Sequence, residues 1–270
     1  MTEYHRPRKR FGQNFLHDKQ VINKLVTAIA PKSTDLMVEI GPGQGALTGP
    51  LLEKLDTLHA VELDRDLVER LEQLPTGDKL VIHSADALKF DFSQLADHRP
   101  MRIVGNLPYN ISTPLLFHLL GYRELITDMY FMLQLEVVDR LAASPGNKTY
   151  GRLSVMAQYF CQVDKLFSVP RGAFYPPPKV TSAIVRLQPR VLPVSTDNQS
   201  LFEQVVRLAF SQRRKTLRNN LKQLLQGPQL DQLDYDLGRR PEQLDVDEYV
   251  KLSNAINSLL EHGESVKVAW

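Results

Sequence analysis

From Val21 to about Leu187, short apolar runs alternate with segments whose apolar positions recur every three or four residues. That alternation predicts an α/β domain in which buried strands and amphipathic helices build a doubly wound, mainly parallel sheet. Residues 36–40, 58–61 and 79–82 predict the first three strands. The run Arg102-Ile103-Val104-Gly105 predicts a fourth, with Asn106 at its end. Residues 128–134 predict a fifth strand and 136–143 the helix after it, followed by a loop at 144–148. Residues 166–169 and 180–187 predict the last two strands.

Residues 188–198, with Pro189, Pro193 and a polar end, read as a linker. Beyond it the period is helical. Leu201, Val205 and Leu208 share one face, as do Leu217, Leu221 and Leu224, and then Tyr249, Leu252, Ile256 and Leu259. The pattern predicts a domain over 1–190 with a basic N-terminal arm, and a small helical domain over 198–270.

The ends of the predicted strands carry the chemistry. The first runs into Gly41-Pro42-Gly43-Gln44-Gly45 and then a helical pattern from Ala46. Strand, glycine loop and helix open a nucleotide-binding unit, because glycines allow a tight turn and close approach of a ligand. GPGQGA alone fits both the dinucleotide pattern and the G-x-G-x-G of methyltransferases. The second strand ends at Glu62, about 20 residues past the glycines, where such folds place the acid that accepts ribose hydroxyls. Asp86 follows the third strand and is suited to accept from the amino group of a cofactor adenine. Asp64 and Asp66 are expected to be solvated, as most surface acids are.

Asn106-Leu107-Pro108-Tyr109 then suits methylation of a nucleobase amino group. That nitrogen is a poor nucleophile until it pyramidalises, and two acceptors on its N–H bonds favour that geometry and the developing positive charge. The Asn106 side-chain carbonyl supplies one acceptor. The Leu107 carbonyl supplies the other, held by Pro108, which biases the preceding residue toward an extended form. Tyr109 offers a stacking face. Alone, NLPY would be an ordinary strand-end turn; the glycine loop and the two acids upstream set it apart.

Net charge is only +2, yet its distribution is uneven. Arg6, Arg8, Lys9 and Arg10 form a basic arm, and Arg207, Arg213, Arg214, Lys215, Arg218 and Lys222 lie in a predicted 207–222 helix without an acid. Clustered cations lacking i+4 acids suit a phosphate backbone. The 43% hydrophobic content fits a globular core, and no apolar run approaches the ~18 residues of a membrane span. The N-terminal residues lead into no apolar stretch of a secretory signal. A single Cys161 makes no internal disulfide and suits a reducing cytosol, and no Cys/His spacing predicts a metal.

NLPY after EIGPGQGALT, VELDRD and ADAL resembles the ribosomal RNA adenine dimethyltransferase family. RKRFGQNFL (8–16), FYPPPKVTSAIVRL (174–187) and FSQRRKTLRNNL (210–221) extend the resemblance over nearly the whole chain. It implies a Rossmann-like S-adenosylmethionine-dependent methyltransferase fold, its last two strands forming an antiparallel edge. It implies dimethylation of two adjacent adenosines in a hairpin loop near the 3′ end of 16S rRNA in the 30S subunit, by a monomer in the cytoplasm. It places Asn14 and Leu16 at the cofactor entrance, Gly41 at the methionine part (with Gly43 in the same loop), Glu62 at the ribose and Asp86 at the adenine. Asn106 would bridge cofactor and target base, and Phe174 would be a second stacking face, although an aromatic before three prolines is also a common core plug. Rival readings are a large-subunit rRNA or DNA adenine methylase and a non-catalytic rRNA-binding assembly factor. A nicotinamide-dependent oxidoreductase survives only on the glycine loop read alone.

Overall fold

The computed structural model describes residues 13–191 and 195–264; the basic arm from Arg6 to Arg10 lies outside them. In chain order the elements are β1 (Phe15–Leu16), α1 (Lys19–Ile29), β2 (Leu36–Ile40), α2 (Thr48–Leu52), β3 (Leu58–Glu62), α3 (Arg65–Glu72), β4 (Leu80–Ser84), β5 (Met101–Asn106), α4 (Ser112–Leu120), β6 (Ile126–Gln134), α5 (Leu135–Leu141), α6 (Arg152–Phe160), β7 (Cys161–Val169), β8 (Phe174–Tyr175), β9 (Ser182–Pro189), α7 (Gln199–Ala209), α8 (Leu217–Leu221), α9 (Gly227–Asp231) and α10 (Val246–Glu264).

The main sheet has the order β4-β3-β2-β5-β6-β9-β7. Strands β4, β3, β2, β5 and β6 run parallel, and β9 returns antiparallel beside β6. Every residue of β2 is buried, as expected of a central strand covered on both faces. Because β2 is followed outward by β3 on one side and β5 on the other, the chain order reverses at the β2/β5 pair. A crevice forms outside the carboxyl ends of the strands at such a switch point. Helix α1 shows how the flanking layer is made. Asp18 caps it by accepting from the Gln20 and Val21 N–H groups, and Ile22, Leu25 and Ile29 turn one stripe into the core. A separate two-stranded ribbon pairs β1 with β8, Phe15 opposite Tyr175 and Leu16 opposite Phe174.

Two compact units emerge, Met1–Val138 with Val163–Pro189, and Asp139–Gln162 with Arg190–Trp270. This differs from the single boundary near 190–198 that the sequence suggested. Segment 139–162 precedes the last strands in the chain but packs with the C-terminal helices. In α6, Leu153, Val155, Met156, Ala157 and Phe160 are buried, and the neighbouring Tyr159 ring lies 4.4 Å from that of Phe202 in α7.

The predicted 207–222 helix is likewise interrupted. Helix α7 stops at Ala209 and α8 starts at Leu217. Buried Asn220 accounts for the break: its Nδ2 donates to the carbonyls of Ala209 (2.6 Å) and Gln212 (3.1 Å), satisfying groups that a helix end leaves open. No helix is long and apolar enough to cross a membrane among the described residues.

Candidate active site

One cavity of about 320 Å³ lies at the switch point, within the size range of small-ligand sites. Asn14, Leu16, Gly41, Gly43, Glu62, Asp86, Asn106, Leu107, Pro108 and Tyr109 all line it. Four parallel strand ends and the β1 segment therefore bring together what the sequence spreads over some ninety residues (14 to 109).

Two glycines, one in the glycine loop and one in β5, are required by close approach. Gly43 has φ +59°, and a Cβ there would lie 3.2 Å from the Phe15 ring. At Gly105, a Cβ would sit 2.6 Å from the Ile40 carbonyl, so β5 must carry glycine just before Asn106.

Glu62 is buried and oriented by backbone donors. Gly43 N–H donates to Oε2 (3.2 Å) and Asp64 N–H to Oε1 (2.9 Å). Burial raises its carboxyl above the ordinary range, against the pull of those donors. Asp86 Oδ1 accepts from Leu88 N–H at 3.0 Å. Asn106 Nδ2 donates to the Asn14 carbonyl at 2.9 Å. That bond fixes which end of the amide is nitrogen, so the Asn106 carbonyl oxygen is the acceptor left for a target. Leu107 is anchored by its N–H on the Met132 carbonyl (3.3 Å). The Tyr109 hydroxyl is held 2.7 Å from Ser182 Oγ, which leaves the ring to line the cavity.

Three expectations need correction. Phe174 is 2% exposed and packs in the core with Leu16, Ile22 and Ile184. It is not among the residues that line the cavity, and its burial fits the core plug rather than an open stacking face. Asp64 is 2% exposed rather than solvated: it caps α3 through Asp66 N–H and accepts from Gln13 Nε2 at 3.0 Å. In the helical unit, Arg213 is engaged by the carbonyls of Lys148 (2.8 Å) and Tyr150 (2.9 Å), and Arg218 meets Asp231 at 2.5 Å. An i+4 rule cannot see an acid thirteen residues away.

The matching family model is ribosomal RNA adenine dimethylase, over residues 4–258. The chain belongs to that family. A relative in Saccharophagus degradans, ribosomal RNA small subunit methyltransferase A, is 58% identical over 93% of this chain and 95% of its own. A relative of the same name in Tolumonas auensis is 54% identical over 93% and 94%. The dimethyladenosine transferase of Plasmodium falciparum has a solved structure that matches with TM-score 0.77 and 28% identity, over 91% of this chain and 98% of that one. The 23S rRNA methyltransferase ErmE, at TM-score 0.69 and 23% identity over 90% and 100%, shares the fold. These relatives favour an rRNA adenine methyltransferase over the oxidoreductase, large-subunit and non-catalytic readings.

The sequence reading overlooked one acid of this dimethylase site. Glu39 lines the cavity from within β2, fully buried, with Thr48 Oγ1 donating to its Oε2 at 2.7 Å. A carboxylate inside the apolar run LMVEI was the available signal. Burial pushes its carboxyl up to about 7, beyond what the Thr48 bond offsets, and Glu62 adds to the rise. Between the unfolded value near 4.5 and about 7 the folded chain binds the extra proton. Stability from this group is therefore present at low pH and lost as pH rises through about 7. Glu39→Gln is expected to raise the melting temperature at pH 8, with the gain shrinking toward pH 5; a gain that is equal at both, or largest at pH 5, contradicts this ionisation.

Proposed function

We propose that this chain uses S-adenosylmethionine to dimethylate the exocyclic amino groups of two adjacent adenosines in a hairpin loop near the 3′ end of 16S rRNA. Its substrate is the 30S subunit and its role lies in small-subunit biogenesis, as a cytoplasmic monomer.

The observation that carries this reading is the Asn106 amide, whose nitrogen is taken by the Asn14 carbonyl, which leaves its oxygen as the acceptor of a residue lining one cavity with Glu62 and Asp86. The cavity residues fit the donor. Glu62, already oriented by two N–H groups, can accept from ribose hydroxyls; Asp86 can accept from an adenine amino group, with Leu63, Ala87 and Leu88 as apolar lining beside it. Gly41 and its loop let the backbone approach the methionine part. When bound, the sulfonium supplies an activated methyl group.

The target adenine must leave its stack for its amino group to reach that methyl in line. Asn106 Oδ1 and the Leu107 carbonyl then accept from the two N–H bonds, and Tyr109 stacks on the ring. The methylated nitrogen is acidic enough to lose its proton to water, which agrees with a lining that holds no His or Cys among the described residues. Methyl transfer from labelled S-adenosylmethionine to unmethylated 30S subunits, followed by nucleoside analysis, tests the whole reading. N(6)-dimethyladenosine in the small-subunit rRNA supports it; binding without incorporation overturns it.

Arg207, Arg214, Lys215 and Lys222 are exposed, and we assign them to the phosphate backbone. Replacing all four with glutamine is expected to weaken 30S binding and to flatten its salt dependence by roughly one unit of slope for each phosphate no longer neutralised. Arg213→Ala should instead lower the melting temperature, because it strands two carbonyls that hold segment 148–150. Unchanged salt dependence in the fourfold variant would remove this face from the RNA interface.

A further inference from the structure

The Asn106 amide is only as well oriented as the carbonyl that holds it. Asn14 lies between two anchors. On its C-terminal side β1 pairs with β8, and His17 N–H donates to the Ala173 carbonyl at 3.0 Å. On its N-terminal side Gln13 Nε2 donates to Asp64 Oδ2 at 3.0 Å.

Asp64 is built for that duty. A carboxylate 2% exposed has lost its water, so its oxygens need hydrogen-bond donors from the protein. Its two oxygens serve different partners: Oδ1 takes the Asp66 N–H at the start of α3, and Oδ2 takes Gln13. Its own N–H donates to Glu62 Oε1. The bonds thus run in one line beside the cavity. They pass from Gly43 to Glu62, Asp64 and Gln13, across one peptide to Asn14, and on to Asn106.

From this line we infer that Gln13 and Asp64 form a clasp that positions Asn106 for methyl transfer. Both are positioning residues, and the inference rests on the methyltransferase reading above. The physical reason is the shape of the asparagine torsion. The terminal amide has a broad, roughly two-fold preference, so little in the side chain itself decides whether oxygen or nitrogen faces the base. The Asn14 carbonyl decides it. If Gln13 lets go, that carbonyl loses one of the tethers that fix its direction. The amide can then present N–H where the target's own N–H needs an acceptor. The clasp also joins the acid assigned to the ribose to the amide assigned to the target base, through hydrogen bonds rather than through packing.

The test uses the full chain, labelled S-adenosylmethionine and unmethylated 30S subunits under single-turnover conditions. Gln13→Glu sets two carboxylates against each other and should slow transfer about tenfold or more, the scale on which small misplacements act. Gln13→Leu, which removes the donor without adding charge, should slow it in the same direction. Asp64→Asn added to Gln13→Glu restores one donor facing one acceptor and should bring the rate back to within about threefold of the parent, since coupled neighbours are non-additive. Apparent KM for 30S should stay level while the rate moves. A Gln13→Glu variant that transfers at the parental rate overturns the clasp. So does a loss that Asp64→Asn fails to restore, which would mark Gln13 as ordinary structural support. The unsubstituted chain run in parallel separates this from failure of the methyltransferase reading: if it transfers no methyl group, the reading itself has failed.

Discussion

Asn106→Ala is expected to lower single-turnover methyl transfer by about 10²–10³-fold, the cost of removing one preorganised polar group from a reacting centre. S-adenosylhomocysteine should still bind, because Glu62, Asp86 and the glycine loop stand on other strand ends and keep their own partners. The loss arises in the transition state. Only there does the amino nitrogen pyramidalise and gain charge, so only there is the Asn106 acceptor worth more than water. Asn106→Asp separates charge from geometry. A carboxylate cannot donate to the Asn14 carbonyl, and two oxygens would face each other where a 2.9 Å hydrogen bond now stands. This variant should also be slow despite keeping an acceptor oxygen. Near-parental transfer by Asn106→Ala, read as labelled dimethyladenosine per subunit, would defeat the two-acceptor mechanism.

The strand ends were legible in the sequence because they obey local rules. A buried strand followed by Gly41-Pro42-Gly43 has few alternatives, and the spacing from Gly43 to Glu62 follows from one helix and one strand of ordinary length. The predicted strands fall on β2 to β6 and β9 to within a few residues, and 166–169 on the end of a longer β7. What stayed hidden depends on how distant segments meet. Asp64 looks like a surface acid until Gln13, fifty-one residues earlier, is seen against it. Phe174 and Tyr175 are neighbours of similar chemistry, and only the ribbon register sends one into the core and leaves the other 48% exposed. Arg213 and Arg218 belong to a basic run by sequence, but their heads are committed to Lys148, Tyr150 and Asp231. Period and spacing report which face a residue lies on; they do not report its partner.

The largest stability effect is expected from Arg102, at the opposite edge of the sheet from the cavity. Its side chain is 13% exposed and bridges four segments. Nε and Nη2 hold both oxygens of Asp128 in β6 (2.8 and 2.9 Å), Nη1 reaches Asp35 before β2 (2.7 Å), and Nη2 caps the Ile29 carbonyl at the end of α1 (2.7 Å). Arg102→Ala should cost about 3–5 kcal/mol, because it strands a buried carboxylate rather than merely deleting an attraction. For a chain of this size that is a fall in melting temperature on the order of 10 °C. Asp128 suffers most, since Asp35 still accepts from Lys32 N–H at 2.9 Å. Arg102→Lys keeps the charge but loses the two-pronged grip on Asp128, so an intermediate loss is expected. The decisive comparison is a double variant. Arg102→Met with Asp128→Leu removes both buried charges together, and should melt well above Arg102→Ala even though it changes more of the protein. If the double variant melts at or below the single one, the cost lies in poorer packing or in the Ile29 carbonyl, and the stranded carboxylate is not the cause.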